Sequence, residues 1–465
     1  MLLFCALYIG CLRRSPLKRQ SDPGYDARLP ELAHCRLFSL TNTAKGKCSK
    51  LFCVRKLLVF LVFVAVGSTW SPASGQSTVK ATGVDQDILA QIPQRMKSFV
   101  DQQIVAGAVT LVAHGSDVVE FDATGMADVA AGHPMRKDSI FQIMSMTKPV
   151  TAVGIMMLAE EGKLALRDPV DLYLPEFKDQ RVATTVGPDA ARMAIPNHAI
   201  TIRDLLTHTA GIQDYPGPPA IRDYPQTMSV PLDEVVRQLA KQPLLFQPGT
   251  QWSYSSPGIE ILGRIIEVCS GEKYADYITE HILRPLGMKD SFYFPPPDKV
   301  ERIAMVYALK DGKLVPAPGS ILGGDPARHR QGAIFPAPGW GLYSTAEDLL
   351  HFYRMMLNDG VYEGHRYLSP FSVHVMTEPQ TTGIQPVGWM RGSDYGLAWE
   401  VVTDPLGELA GHSIGTYGHG GAFGTQGWID PNNDLISILL IQGSDGGAES
   451  MTNVFLNMAE SSVGK

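Results

Sequence analysis

Residues 145–148 read Ser-Met-Thr-Lys, an S-x-x-K spacing that puts a hydroxyl and an amine on one helical face. A serine hydroxyl is a weak nucleophile until a neighbouring group accepts its proton. A lysine amine can do so only where burial or positive neighbours lower its pKa. The spacing alone is common, since Ser15…Lys18, Ser77…Lys80, Ser270…Lys273 and Ser462…Lys465 share it. Only Ser145 opens a long apolar helix, predicted over 144–162 with Gly162 as its stop. Its N-terminus would bring free backbone N–H groups and the positive dipole end to where an oxyanion forms. Pro149 is compatible with the first turn, which needs no N–H from it. A second serine competes: Gly411-His412-Ser413-Ile414-Gly415 spells the G-x-S-x-G of a nucleophile elbow. An elbow needs a buried strand before the serine, a helix after it, and then an acid and a histidine. DPLGELAGH precedes Ser413, glycine-rich GTYGHGG follows, and His419 comes with no intervening acid. Ser413 therefore reads as a loop residue leading into a strand.

The elements that must position this chemistry follow from periodicity. DQDILAQIPQRMKSFVDQQI (85–104) has helical spacing, and GAVTLVAHGSDVVEFDATG (107–125) reads as two strands joined at Gly115-Ser116. Helices are predicted over 231–242, 258–271 and 344–360, the last opened by a Ser344-x-x-Glu347 capping box. Strands return at 396–402, 424–430 and 434–442, and a helix over 447–462 closes the chain. The expected fold class is α+β (mixed α/β). An antiparallel sheet built from both chain ends is flanked by helices and interrupted by a mainly helical inserted lobe.

Two later stretches carry further chemistry. FQPGTQWSYSSPGIEILGRIIEVCSG (246–271) sets Tyr254-Ser255-Ser256 before a helix, and YGHGGAFGTQGWIDPNNDLISILLIQ (417–442) carries His419-Gly420-Gly421. With Ser145-Met146-Thr147-Lys148, and with LLTHTAGI (205–212), ILRPLGMKDSFY (282–293) and GWGLYSTAEDLLHF (339–352), the chain resembles the serine β-lactamase-like superfamily. The likeness is to class C β-lactamases and the related family VIII carboxylesterases, over roughly residues 85–460. It implies a β-lactamase/transpeptidase-like fold and a serine hydrolase. Ser145 matches the nucleophile, Lys148 the adjacent base, Tyr254 the tyrosine of Y-x-N, and His419-Gly420-Gly421 the strand motif that is Lys-Thr-Gly in lactamases. The oxyanion would lie between the backbone N–H groups of Ser145 and Ala422. Either Lys148 or a Tyr254 phenolate would accept the serine proton, and Tyr254 would activate the deacylating water. Ser256 stands where the motif has asparagine, and His419 replaces a permanently charged lysine. Both departures weaken recognition of a penicillin-like acid more than of a neutral ester. A carboxylesterase is the first reading, with a β-lactamase or D-aminopeptidase/D,D-peptidase-like enzyme second and a catalytically silent penicillin-binding-like module third. The substrate would be a small-molecule ester, β-lactam or D-amino-acid peptide.

Other residues read more plainly. His208 reads as a hydrogen-bonded structural residue, Lys310-Asp311-Gly312 as a hairpin turn, and Trp340 and Trp428 as packing. The chain contains no H-E-x-x-H, paired-cysteine metal pattern or phosphate-binding glycine loop, so neither metal nor cofactor is expected.

Composition divides the chain. Hydrophobic residues at 45% and charged ones at 19% describe a folded body rather than a disordered one. Residues 1–56 hold eleven Lys/Arg against three acids, leaving a body of 29 basic and 44 acidic residues, net −15. Such a body is not expected to bind nucleic acid. Five of the six cysteines fall in the first 53 residues, so the body, with Cys269 alone, must be stable without an internal disulfide. Arg55-Lys56, the apolar run Leu57–Val66 and Ala73-x-Gly75 have the layout of a secretory signal peptide over 54–75. We expect translation to start at Val54, read from a GTG codon, with 1–53 a doubtful leader and a hydrolase domain over 84–465. The alternative is an uncleaved membrane anchor behind a basic tail. In both cases the body lies outside the cytoplasm, periplasmic or secreted.

Overall fold

The computed structural model describes residues 83–184, 192–215, 228–317, 332–386, 391–407, 411–443 and 448–464. The predicted leader and signal segment lie outside the described residues.

An eight-stranded antiparallel sheet forms the frame. Its strands are β1 (Gly107–His114), β2 (Asp117–Asp128), β3 (His133–Pro134), β4 (Ser393–Tyr395), β5 (Glu400–Val402), β6 (Tyr417–Gly420), β7 (Gln426–Asp430) and β8 (Leu435–Ile441). Their order is β4-β5-β6-β7-β8-β1-β2-β3, so the two ends of the chain meet at its centre. There β1 and β8 pair from Ala108↔Ile441 to His114↔Leu435. Both strands are covered on both sides, and the period of two sorts their side chains. Ala108, Val112, Leu435, Leu439 and Ile441 face one apolar layer; Val109, Leu111, Ile436, Ile438 and Leu440 face the other.

Helices supply both layers. The first is closed by α1 (Gln86–Leu89), α2 (Ile92–Asp101) and the terminal α8 (Glu449–Ser461). Ile92, Met96 and Phe99 pack there with Met451, Phe455 and Ala459. The other face carries α3 (Thr147–Glu160), α4 (Ile202–Leu206), α5 (Leu232–Leu239), α6 (Ser256–Ser270) and α7 (Ala346–Leu357). Helix α3 is buried nearly all round, as a helix apolar on every face must be. Gly154 lets it close on α6 and its neighbour: a Cβ there would sit 3.1 Å from both Ile266 Cδ1 and Ile278 Cδ1. Among the described residues, no helix is long and apolar enough to cross a membrane.

Several boundaries differ from the sequence reading. The 85–104 helix is broken in two, with Pro93 at the start of the second piece. The capping residue of α7 is Thr345, whose hydroxyl accepts from the Asp348 amide, because Ser344 is engaged with Ser291 at 2.8 Å. The 396–402 strand shrinks to Glu400–Val402. Ala398 takes a left-handed φ of +62° and sends its amide to Leu206 instead. The segment before α3 is a separate 3-10 turn, Met144–Met146.

Candidate active site

Ser145 sits in that turn, between a short pairing of Phe141–Gln142 with Tyr343–Ser344 and the start of α3. The preceding Met144 is buried at φ +53°, a costly conformation for a residue with a side chain. It is held from several sides. Thr147 Oγ1 donates to the Met144 carbonyl at 2.6 Å, and Thr425 Oγ1 donates to the Ile143 carbonyl at 3.1 Å. The Ile143 amide reaches the Leu342 carbonyl at 3.0 Å. The strained turn lifts Ser145 out of helical register ahead of the helix N-terminus.

Lys148, one turn on, is fully buried and surrounded by acceptors. Its Nζ lies 3.1 Å from Ser145 Oγ, 3.2 Å from Ser256 Oγ and 2.8 Å from the Gly339 carbonyl. It also lies 4.6 Å from the centre of the Tyr254 ring. Burial pulls its pKa down to about 8, against the opposing pull of Asp214, Glu260 and Glu400. The Gly339 carbonyl can only accept, so it always takes one N–H. When the amine is neutral, its lone pair must therefore face a serine hydroxyl. Tyr254 shares hydrogen bonds with Ser145 and Ser256, yet burial and the nearby Asp214 and Glu400 hold its pKa well above 10. The tyrosine is thus a phenol at rest, and Lys148 is the more available base. Ser256, at the start of α6, gives its amide to Asp214 Oδ1 at 2.9 Å and turns its hydroxyl to Lys148.

The far wall is the end of β6. His419 is buried, with Nδ1 2.6 Å from the Gly420 carbonyl and Nε2 2.9 Å from the Tyr395 hydroxyl. Burial and Lys148 lower its pKa to about 3, so the ring is neutral. Gly420 pairs with Gln426, and the chain then turns. Gly421 must be glycine: a Cβ would fall 2.4 Å from the Ile143 carbonyl and 2.1 Å from Thr425 Oγ1. This contact brings Ala422 beside the Ser145 turn. Neither the Ser145 nor the Ala422 amide donates to an acceptor among the described residues. His208 accepts the Ser255 amide through Nδ1 at 3.2 Å and packs on the Tyr254 ring at 4.6 Å.

The sequence reading did not anticipate Gly339, Asp214, Glu400 or Tyr395. Gly339 contributes only backbone, and it lies 191 residues from Lys148. The other three belong to no spacing pattern. Ser413 is elsewhere, at the opposite end of β6, donating to Asp430 Oδ2 at 2.7 Å. Beside it runs an open groove of about 460 Å³ between α7 and the strand ends, lined by none of the residues around Ser145. Trp340 and Trp428 are buried in the two apolar layers, and Asp311-Gly312 is the turn of a hairpin. Among the described residues no cluster of metal-ligating side chains occurs.

Comparison with known proteins bears on the family and the fold. Protein Rv1367c of Mycobacterium tuberculosis is 35% identical over 359 residues, 75% of this chain and 88% of the relative. Esterase EstB of Burkholderia gladioli is 30% identical over 399 residues, 80% of this chain and 95% of the relative. Among solved structures, EstCE1, a hydrolase with promiscuous acyltransferase activity, superposes with a TM-score of 0.66 at 23% identity. That match covers 80% of this chain and 99% of the other, and it supports the fold. Residues 92–456 match the Beta-lactamase family model, and the chain belongs to that family of serine hydrolases.

Proposed function

We propose that the protein is a carboxylesterase that forms an acyl-enzyme on Ser145. The observation carrying this reading is the buried Lys148 amine, 3.1 Å from Ser145 Oγ and pulled to about 8. In the neutral form the amine accepts the Ser145 proton as Oγ attacks the ester carbonyl, and the C–O bond to the alcohol then breaks. The negative charge on the carbonyl oxygen is met by the amides of Ser145 and Ala422. The Tyr254 phenol, within hydrogen-bond reach of Ser145, hands a proton to the departing alkoxide and regains one from Lys148. Water then enters by the reverse proton path and releases the acid.

The ester preference rests on His419. Where a lactamase presents a cation to the substrate carboxylate, this chain has a buried imidazole, neutral and with both nitrogens engaged. The names of two relatives, EstB and the lovastatin esterase of Penicillium rubens, point the same way. Purified chain should cleave p-nitrophenyl butyrate far faster than nitrocefin or a D-alanyl-D-alanine peptide, and Ser145→Ala should abolish all turnover. Preferential cleavage of nitrocefin or the peptide would overturn the ester reading.

We further propose that 54–75 directs export and that the mature chain begins at Gln76, with the hydrolase domain over 84–465. Mass spectrometry of the exported protein should find its N-terminus at Gln76; an N-terminus at Met1 would refute this.

A further inference from the structure

We propose that Tyr395 and His208 are positioning residues for the Ser145 site, anchoring the ring of His419, a neutral Nδ1–H tautomer, and so fixing the turn that presents the Ala422 amide. The proposal rests on the reading of Ser145 and Ala422 given above.

The two ends of this hydrogen-bond chain dictate its direction. The Ser255 amide can only donate, so His208 Nδ1, 3.2 Å away, accepts. The proton of a neutral His208 must then sit on Nε2, which donates to the Tyr395 oxygen at 3.1 Å. At the other end the Gly420 carbonyl can only accept, so His419 Nδ1, at 2.6 Å, carries its proton. That leaves His419 Nε2 bare to accept the Tyr395 O–H at 2.9 Å. The two halves meet at Tyr395 without conflict, since its hydroxyl accepts once and donates once. A proton added to either imidazole breaks a link. Burial, reinforced by Lys148, holds His208 well below its ordinary pKa and His419 at about 3.

The consequence for the reaction lies in two successive peptide groups. The Gly420 carbonyl is held by His419 Nδ1–H, and the amide of the same peptide group, that of Gly421, donates to Thr425 at 2.7 Å. The Gly421 carbonyl accepts the Gly424 amide at 2.8 Å. Because the C=O and N–H of a trans peptide point in opposite directions, the Ala422 amide is turned away from the turn. Without the Tyr395 hydroxyl the Gly420 carbonyl still keeps the proton on Nδ1, but Nε2 loses its anchor and the ring is free to tilt. Its hydrogen bond to Gly420, the first of the two groups, then loosens. The same chain ends at Ser255, next to Tyr254, so the helical lobe and the sheet are registered through one set of side chains.

The groups facing His419 are Tyr395, the Tyr254 ring at 6.1 Å, Glu400 with an oxygen 3.8 Å from Nδ1, Lys148 and, through Tyr395, His208. Tyr395→Phe keeps the ring and removes the hydroxyl. It should lower kcat on p-nitrophenyl butyrate about 10- to 100-fold, with KM changed less than about twofold. Its kcat–pH profile should keep the wild-type limb, because burial and Lys148, which hold the His419 ring neutral, are unchanged. His208→Asn suits the φ of +58° at that position but is too short to reach Tyr395, and it should give the same kcat loss. This variant decides the matter if Tyr395→Phe does not fold. The double variant should lose no more than the worse single one, because both cut one chain. A wild-type kcat in either folded variant, or a loss confined to KM or thermal stability, overturns the positioning role. Hydrolysis that survives Ser145→Ala would instead overturn the reading on which it rests.

Discussion

Ser145 and Ser413 lie toward opposite ends of the same sheet, and they invert the usual value of a motif. Ser413 has the rarer pattern and stands beside an open groove of about 460 Å³. Its hydroxyl donates to Asp430, a carboxylate that also accepts the Asn433 side chain at 2.6 Å and the Asn432 amide at 2.9 Å. Those bonds make Asp430 the anchor of a turn, and a carboxylate is a far weaker base than an amine. Ser145 has the commoner pattern but a buried amine at 3.1 Å, a phenol beside it and two amides that meet no acceptor among the described residues. Reactivity follows what surrounds the hydroxyl and not the letters that flank it.

The contrast can be broken from its strong side first. Lys148→Met removes the base and should cost about 10²–10⁴-fold in kcat/KM toward p-nitrophenyl butyrate, measured under pseudo-first-order conditions. Gly421→Ala drives a methyl into the Ile143 carbonyl and Thr425, displacing the amide beside Ser145. A loss of about 10²-fold in kcat is expected, and stopped-flow acylation rates would register it.

A pH profile sharpens the comparison without mutation. In the proposed reaction only the neutral Lys148 amine takes the serine proton, and its pKa is lowered to about 8, so kcat/KM should rise as pH climbs through 8. Below that point the slope should be about tenfold per pH unit. A profile flat from pH 6 to 9 would remove Lys148 from the base role. The weak side of the contrast gives the smallest effect. Ser413→Ala should leave kcat/KM within about twofold of wild type and lower stability by about 1 kcal/mol, read by urea denaturation.

Much of this was legible in the chain, for physical reasons. The continuous apolar runs of β1 and β8 and the largely apolar α3 follow from burial on every side, which hydropathy reports directly. Ser145 and Lys148 are legible from their spacing at the start of an apolar helix, and Tyr254 and the His419 triplet through the resemblance to the serine β-lactamase-like superfamily. What escaped was set by tertiary contact. Two overlapping caps, Ser344-x-x-Glu347 and Thr345-x-x-Asp348, compete locally, and Ser291 decides between them by engaging Ser344. Gly339 holds Lys148 through a carbonyl that every residue type possesses. His208 was read as structural, but its partner Tyr395 lies 187 residues away and only the fold joins them.

The most direct test is covalent. The chain is incubated with a fluorophosphonate, digested, and mapped by tandem mass spectrometry. A single adduct on the peptide bearing Ser145, absent from Ser145→Ala and unchanged in Ser413→Ala, is the predicted result. An adduct on Ser413, or none on a chain that still hydrolyses ester, would contradict the assignment of Ser145 as the nucleophile.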